Sequence, residues 1–115
     1  PHDQESKRVP LTSAAFGIVG LETMLPLSLG LYHAGIMPLR DILAAMTYKA
    51  ADIIHVPAGR LKKGARADLA LIDLNHEWTL EPDAFHSKSK NSPFDHWATK
   101  GRAIRTVVGG ECVYR

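Results

Sequence analysis

Two adjacent glycines, Gly109 and Gly110, separate the strand-forming runs Ala103–Val108 and Glu111–Tyr114. A two-residue hairpin turn demands positive φ angles at its centre, and glycine adopts them without steric cost. The pattern predicts a β-hairpin and is the most restrictive local signal in the chain. Upstream, Ala67–Asp73 reads as a short apolar strand bounded by charge. Trp78–Leu80 reads as a second, brief strand, and residues 86–96, with Pro93, as a polar loop.

The front of the chain has a different period. Leu39, Ile42, Leu43, Met46, Ala50, Ile53 and Ile54 recur at helical spacing. Pro38 fits a first helical position, and Asp41 suits the positive end of the helix dipole. Pro57 and Gly59 end the pattern. A break near Thr47 is expected, because Thr and Tyr form helix less readily. Residues 21–34 allow two readings. Leu25, Leu27, Leu29 and Leu31 alternate as in a strand, whereas Leu21, Met24, Leu25 and Tyr32 share one helical face. Pro26 argues against a central strand and is tolerated in a first helical turn. Gly35 offers a helix stop. Residues 1–20 read as polar loop punctuated by Pro10, Gly17 and Gly20.

Composition closes off several classes. The 115 residues suffice for one compact domain at most. Hydrophobic residues at 45% and charged residues at 23% exclude a disordered tail and a collagen-like chain. Lys and Arg number 14 against 12 Asp and Glu, a net charge of +2, which argues against a nucleic-acid partner. A single cysteine, Cys112, excludes a disulfide framework and a multi-cysteine zinc site, and it is expected to be a small core residue. No apolar run is long enough for a bilayer, so no membrane partner is expected. The chain opens on Pro1 without a signal-peptide pattern and is expected to be part of something longer.

The residues alone carry no self-sufficient catalytic constellation. The six histidines are His2, His33, His55, His76, His86 and His96, and no two have His-x-His or His-x-x-x-His spacing. His33 and His55 are expected near helix ends. His76, His86 and His96 are expected in solvated loops, and His2 lies in a polar front segment beside Asp3 and Glu5. Gly17–Gly20 lacks the phosphate-loop and dinucleotide patterns. The basic clusters Lys62, Lys63, Arg66 and Lys88, Lys90, Lys100 are expected to be solvated faces, although Phe94 and Trp97 lie near the second. No catalytic residue and no metal ligand can be assigned.

Two stretches carry a resemblance. Gly59-Arg-Leu-Lys-Lys-Gly-Ala-Arg-Ala-Asp-Leu-Ala-Leu-Ile-Asp73 resembles the segment by which amidohydrolase-superfamily chains re-enter a small β-sandwich after their barrel. Pro1-His2-Asp3 followed by Phe16-Gly-Ile-Val-Gly-Leu-Glu-Thr-Met-Leu-Pro-Leu27 resembles the dihydroorotases of the long, bacterial type. Lys88–Phe94, Gly101-Arg102 and the terminal hairpin resemble the same enzymes, in the same order.

The resemblance implies an α/β fold: the closing helices of a (β/α)8 metallo-dependent hydrolase barrel over residues 1–58, then strands of the small β-sandwich over 59–115. Residues 22–34 should then be helical, with the leucines buried on more than one side, and 39–55 should be helical in two segments. It further implies the C-terminal portion of a cytoplasmic enzyme of pyrimidine biosynthesis, which interconverts N-carbamoyl-L-aspartate and dihydroorotate. Zinc is the implied cofactor, with every ligand upstream of this chain. His2 matches the family histidine that meets the substrate carboxylate, and Phe16 and Gly17 match the pair that meets the substrate ring. Asp3, Glu5, Lys7 and Arg8 would belong to a loop near the site. The implied partners are a small-molecule substrate, the N-terminal remainder of the barrel, and a second copy or aspartate transcarbamoylase. The chain alone is expected to be inactive. Two other readings are a noncatalytic dihydroorotase-like subunit and a hydantoinase- or allantoinase-type cyclic amidase.

Overall fold

The computed structural model describes residue 3 and residues 5–115. Three helices lead into three strands: α1 (Met24–His33), α2 (Leu39–Met46), α3 (Tyr48–Ile53), β1 (Leu69–Thr79), β2 (Ala98–Val108) and β3 (Glu111–Tyr114). The strands form one antiparallel sheet in the order β1-β2-β3, and α1 packs on β2.

Residues 24–33 are helical, which settles the competing leucine patterns. Pro26 falls in the first turn, where no intrahelical donor is required of it. The end is set by Gly35 at φ 69°, whose N–H reaches Tyr32 O at 3.0 Å while Ile36 N–H reaches Leu31 O at 2.9 Å. This crossed pair satisfies two carbonyls of the last turn. Leu29 is fully buried against β2, where a Cβ on Gly101 would lie 2.4 Å from Leu29 Cδ1. Burying such a side chain contributes about 1.5–3 kcal/mol. The expected all-round burial of the leucines fails at Leu31, which is 39% exposed.

The break expected near Thr47 is present. Thr47 has φ −124° and ψ −105°, so α2 and α3 meet at an angle no continuous helix allows. Gly59 docks there: a Cβ on it would sit 2.7 Å from both Thr47 C and Tyr48 N. The next residue fixes the approach. Arg60 grips both carboxylate oxygens of Asp52, at 2.8 and 2.7 Å, and lies 5.2 Å from the Tyr48 ring centroid. After α3, His55 takes φ 56° and repeats the crossed closure seen at Gly35, with His55 N–H on Asp52 O at 3.2 Å and Val56 N–H on Ala51 O at 3.0 Å.

In the sheet, Ala67–Asp73 and Trp78–Leu80 are not two strands. One strand, β1, runs from Leu69 to Thr79, and Leu80 lies just beyond it. The register against β2 shifts between Asp73 and Glu77, where the Asp73 side chain accepts the Asn75 N–H at 2.8 Å. A polar residue serving its own backbone interrupts the apolar pattern without ending the strand. His76 therefore sits in a strand, exposed, and not in a loop. β2 also begins earlier than its apolar run. Ala98–Arg102 carries little apolar pattern but is held by Trp78 Nε1–H donating to Gly101 O at 3.2 Å and by Arg102 over the Trp78 ring at 4.7 Å.

The hairpin is as the two glycines demand, with φ 59° at Gly109 and 91° at Gly110. The segment before β1 pins it, since Asp68 Oδ1 accepts Gly109 N–H at 2.7 Å and Ala67 O accepts Gly110 N–H at 2.9 Å. Cys112 is a correction: it is exposed on β3, with its Sγ 3.4 Å from Tyr114 O. β3 is an edge strand with all four residues exposed, so a small apolar residue there has no core to join.

The accessible surface, 8627 Å², exceeds what a compact monomer of this mass shows by roughly 2,400 Å². The radius of gyration, 16.4 Å, exceeds the roughly 13 Å of a compact chain this long. Leu11, Phe16, Leu21 and Leu61 are each more than 80% exposed. Apolar area of this extent is what a covering surface would bury. No described helix is long and apolar enough to cross a membrane.

Candidate functional site

The site is built from the front loop inward. Asp3 Oδ1 accepts the Ser6 N–H at 2.9 Å, and Ser6 Oγ donates to Asp3 O at 2.7 Å. These bonds support one 3₁₀ turn, Glu5–Lys7, which Arg8 braces by pairing with Glu5 at 2.9 Å. Ser6 O then accepts the Ala15 N–H at 3.2 Å, which brings the turn alongside residues 15–19.

Lys7 spans that junction. Its ammonium donates to Ala15 O and, at 2.7 Å, to Gly17 O. From a different loop Asn91 Nδ2 donates to the same Gly17 oxygen at 3.1 Å, while Asn91 O accepts Val19 N–H at 3.0 Å. Residues 15–19 thus form a strap tied at both edges. A carbonyl oxygen has two lone pairs, and both at Gly17 are engaged.

The strap leaves the expected contact pair facing outward. Phe16 is 94% exposed. Among the described residues, neither the Phe16 N–H and C=O nor the Gly17 N–H has a hydrogen-bond partner. Gly17 takes φ 100°, and nothing lies within 4 Å of where its Cβ would be. An adjacent donor and acceptor on open backbone can bind a small amide, which presents the complementary pair. Phe16 and Gly17 are therefore brought together on one accessible segment. His2 lies outside the described residues.

A second device secures the base of the strap. The Glu22 carboxylate accepts the backbone N–H of His86 and of Ser87, each at 3.0 Å, and lies 3.3 Å from His86 Nδ1. Burial acts to raise its pKa. The two amide hydrogen bonds and the His86 ring together outweigh burial and hold the carboxyl below its ordinary range. Glu22 thus ties the loop carrying Asn91 to the start of α1. His86, expected to be simply solvated, has this partner.

Asn91 and Glu22 were not legible as site residues, and Lys7 was expected in a loop near the site without a role. Lys7 and Glu22 sit in polar or mixed segments with no distinguishing spacing. Asn91 had one signal, its place before Ser92-Pro93 in a turn-rich loop. The basic clusters have local roles: Lys90 donates to Phe85 O, and Lys100 lies 3.5 Å from Glu77. Phe94 and Trp97 meet edge to face at 5.2 Å.

Among the described residues no three His, Cys, Asp or Glu side chains converge so as to hold a metal ion. The donor set present does not fit the zinc that the family resemblance implies, and no chemistry is routed through a metal on these residues.

The profile of the amidohydrolase family matches residues 5–113. The chain is 64% identical over 114 residues to the dihydroorotase of Wolbachia sp. subsp. Drosophila simulans (strain wRi), covering 99% of this chain and 26% of that protein. It is 59% identical over 115 residues to the dihydroorotase of Ehrlichia chaffeensis (strain ATCC CRL-10679 / Arkansas), covering 100% of this chain and 26% of that protein. Among solved structures, the L-hydantoinase (dihydropyrimidinase) from Arthrobacter aurescens superposes with a TM-score of 0.84 at 33% identity, covering 90% of this chain and 24% of that one. The chain thus spans about a quarter of the length of the curated relatives it matches. The strap, the three-stranded sheet and the match over 5–113 together give one conclusion: the chain belongs to the amidohydrolase family.

Proposed function

We propose that the protein carrying this chain is a dihydroorotase, which reversibly cyclises N-carbamoyl-L-aspartate to dihydroorotate in pyrimidine biosynthesis. The chain would be its C-terminal portion, with residues 1–58 closing a (β/α)8 barrel and residues 59–115 contributing to a small β-sandwich. The roughly 2,400 Å² of surplus surface supports that placement, because a barrel remainder would cover the outward leucines.

The observation that carries the reading is the open backbone at Phe16 and Gly17. In this proposal the Gly17 N–H donates to a ring carbonyl and the Phe16 C=O accepts a ring N–H, while the Phe16 ring excludes water from one side. His2 would donate a hydrogen bond to the substrate carboxylate. Zinc, if the parent carries it, is held by residues outside this chain. The catalytic steps belong to those residues, and the isolated 115 residues would turn nothing over.

Identity favours dihydroorotate over other cyclic amides, at 64% to a dihydroorotase against 33% to a hydantoinase. A substrate panel on the full-length protein tests the reading. The expected result is cyclisation of N-carbamoyl-L-aspartate with little hydrolysis of hydantoin, dihydrouracil or allantoin. Preference for hydantoin would move the protein to the hydantoinases. No turnover of any ring by metal-loaded full-length protein would favour a noncatalytic subunit.

A further inference from the structure

We infer that Lys7 and Asn91 are positioning residues, which hold the Gly17 carbonyl with two donors from separate loops so that the Phe16–Gly17 backbone is preset for a cyclic amide. This rests on the reading that Phe16 and Gly17 meet the substrate.

Three observations carry the inference. First, the two donors come from segments far apart in sequence, the front loop and the loop after Phe85, and converge on one oxygen. Each segment also holds the strap by a backbone bond, Ser6 O to Ala15 N–H and Asn91 O to Val19 N–H, so the two side-chain donors are delivered from fixed positions. Second, the carbonyls at 15 and 17 are both turned toward Lys7, which leaves the amide and carbonyl between them unpaired and outward. An exposed strap with no such ties would satisfy those groups with water in many orientations. Fixing one orientation removes that freedom before the ligand arrives. Third, Asn91 makes the contact while its own Oδ1 stays buried without a partner among the described residues. The bond to Gly17 O is thus the one side-chain hydrogen bond that Asn91 makes among the described residues. The Asn91 amide is spent on orienting Gly17.

The ammonium suits this role better than a neutral donor would. It carries three N–H groups on a flexible stem, so it can serve two carbonyls at once, and a charged donor bonds more strongly than a neutral one. It also places a positive charge at the edge of a site proposed to take an anionic substrate.

The test uses the full-length protein and dihydroorotate hydrolysis. Lys7→Met is expected to raise KM about tenfold, the loss expected of one charge-assisted hydrogen bond, while kcat stays within about threefold and Tm is little changed. Lys7→Arg should recover much of the KM, because it restores a charged donor. Asn91→Ala should raise KM in the same direction by less. Gly17→Ala and Phe16→Ala serve as the reference for the site itself. If Gly17→Ala raises KM while Lys7→Met and Asn91→Ala leave it within about twofold, the clamp is overturned and the site stands. If Phe16→Ala and Gly17→Ala also leave KM unchanged, the site reading fails and the clamp falls with it. Should Lys7→Met fail to fold, Asn91→Ala decides alone.

Discussion

Gly59 and Gly17 both take positive φ angles, 72° and 100°, yet they occupy opposite surroundings. Gly59 is pressed against the backbone of the α2–α3 break, and Arg60 locks it there through Asp52 and Tyr48. Gly17 has open space where a side chain would be, and its neighbours hold only its carbonyl. The chain itself fills the room that Gly59 makes, so Gly59 is explained by the fold. The room beside Gly17 is filled by nothing in the described chain, and under the proposed function it is where the substrate ring would lie. Open space at positive φ is shared by the turn glycines Gly35 and Gly110, so what sets Gly17 apart is the unpaired backbone beside it.

The largest expected effect tests the scaffold side. Gly59→Ala puts a methyl carbon 2.7 Å from two backbone atoms that cannot swing aside. With overpacking and a left-handed residue combined, the expected loss is about 3 kcal/mol or more. Thermal melting of the full-length variant would read this as a much lower Tm or as insoluble protein. An unchanged Tm would dissolve the contrast.

Gly17→Ala is next. Its Cβ meets nothing, so the stability loss should be confined to backbone strain, about 1–2 kcal/mol. The larger effect should be on KM, as steady-state kinetics would show. A variant that loses stability but keeps KM would make Gly17 a second scaffold glycine.

Two helix ends sharpen the same contrast on a smaller scale. Gly35 and His55 close α1 and α3 with the same crossed hydrogen bonds, but His55 must hold φ 56° with a Cβ present. His55→Gly should therefore stabilise, by about 0.5–1 kcal/mol, with no change in kinetics. A lower Tm would reveal a role for the imidazole that the closure does not need.

The smallest effect is a pH dependence at Glu22. Its folded pKa lies below the ordinary value of 4.5, so its contribution is complete above that value and is lost as pH falls through the lowered one. Melting curves at descending pH should show the native protein losing its advantage over Glu22→Gln only below the glutamate range. Parallel curves throughout would remove Glu22 as the tie between α1 and the 86–96 loop.

How much of this was legible follows from how local each cause is. The Gly109–Gly110 hairpin and the break at Thr47 were readable, because turn chemistry and helix propensity act within a few residues. β1 was read as two strands because the charge at Asp73 bounds the apolar run, when Asp73 and Asn75 form an irregularity inside a ladder whose partner lies on β2. The beginning of β2 was missed for a similar reason: Ala98–Arg102 is held by Trp78 and not by its own apolar pattern. Cys112 was misread because burial depends on which strand lies at the edge. At the site, Phe16 and Gly17 were found only through resemblance. Lys7 was placed in a loop near the site without a role, and Asn91 and Glu22 escaped notice, since all three act through hydrogen bonds to other segments that leave no spacing in the sequence.

The tie between Gly17 and Asn91 spans 74 positions. A ribosome adding roughly 5–20 residues per second takes about 4–15 s to cover that distance. During that interval the turn at Lys7 can form from local sequence, while α1 lacks the β2 face that buries Leu29 and the strap is held along one edge only. Its second edge closes after the chain has reached the loop that follows Phe85. The packing of α1 and the orientation of the strap are therefore both completed late, and a chain cut short before Asn91 would lose the support of α1 by β2 together with the fixed orientation at Gly17.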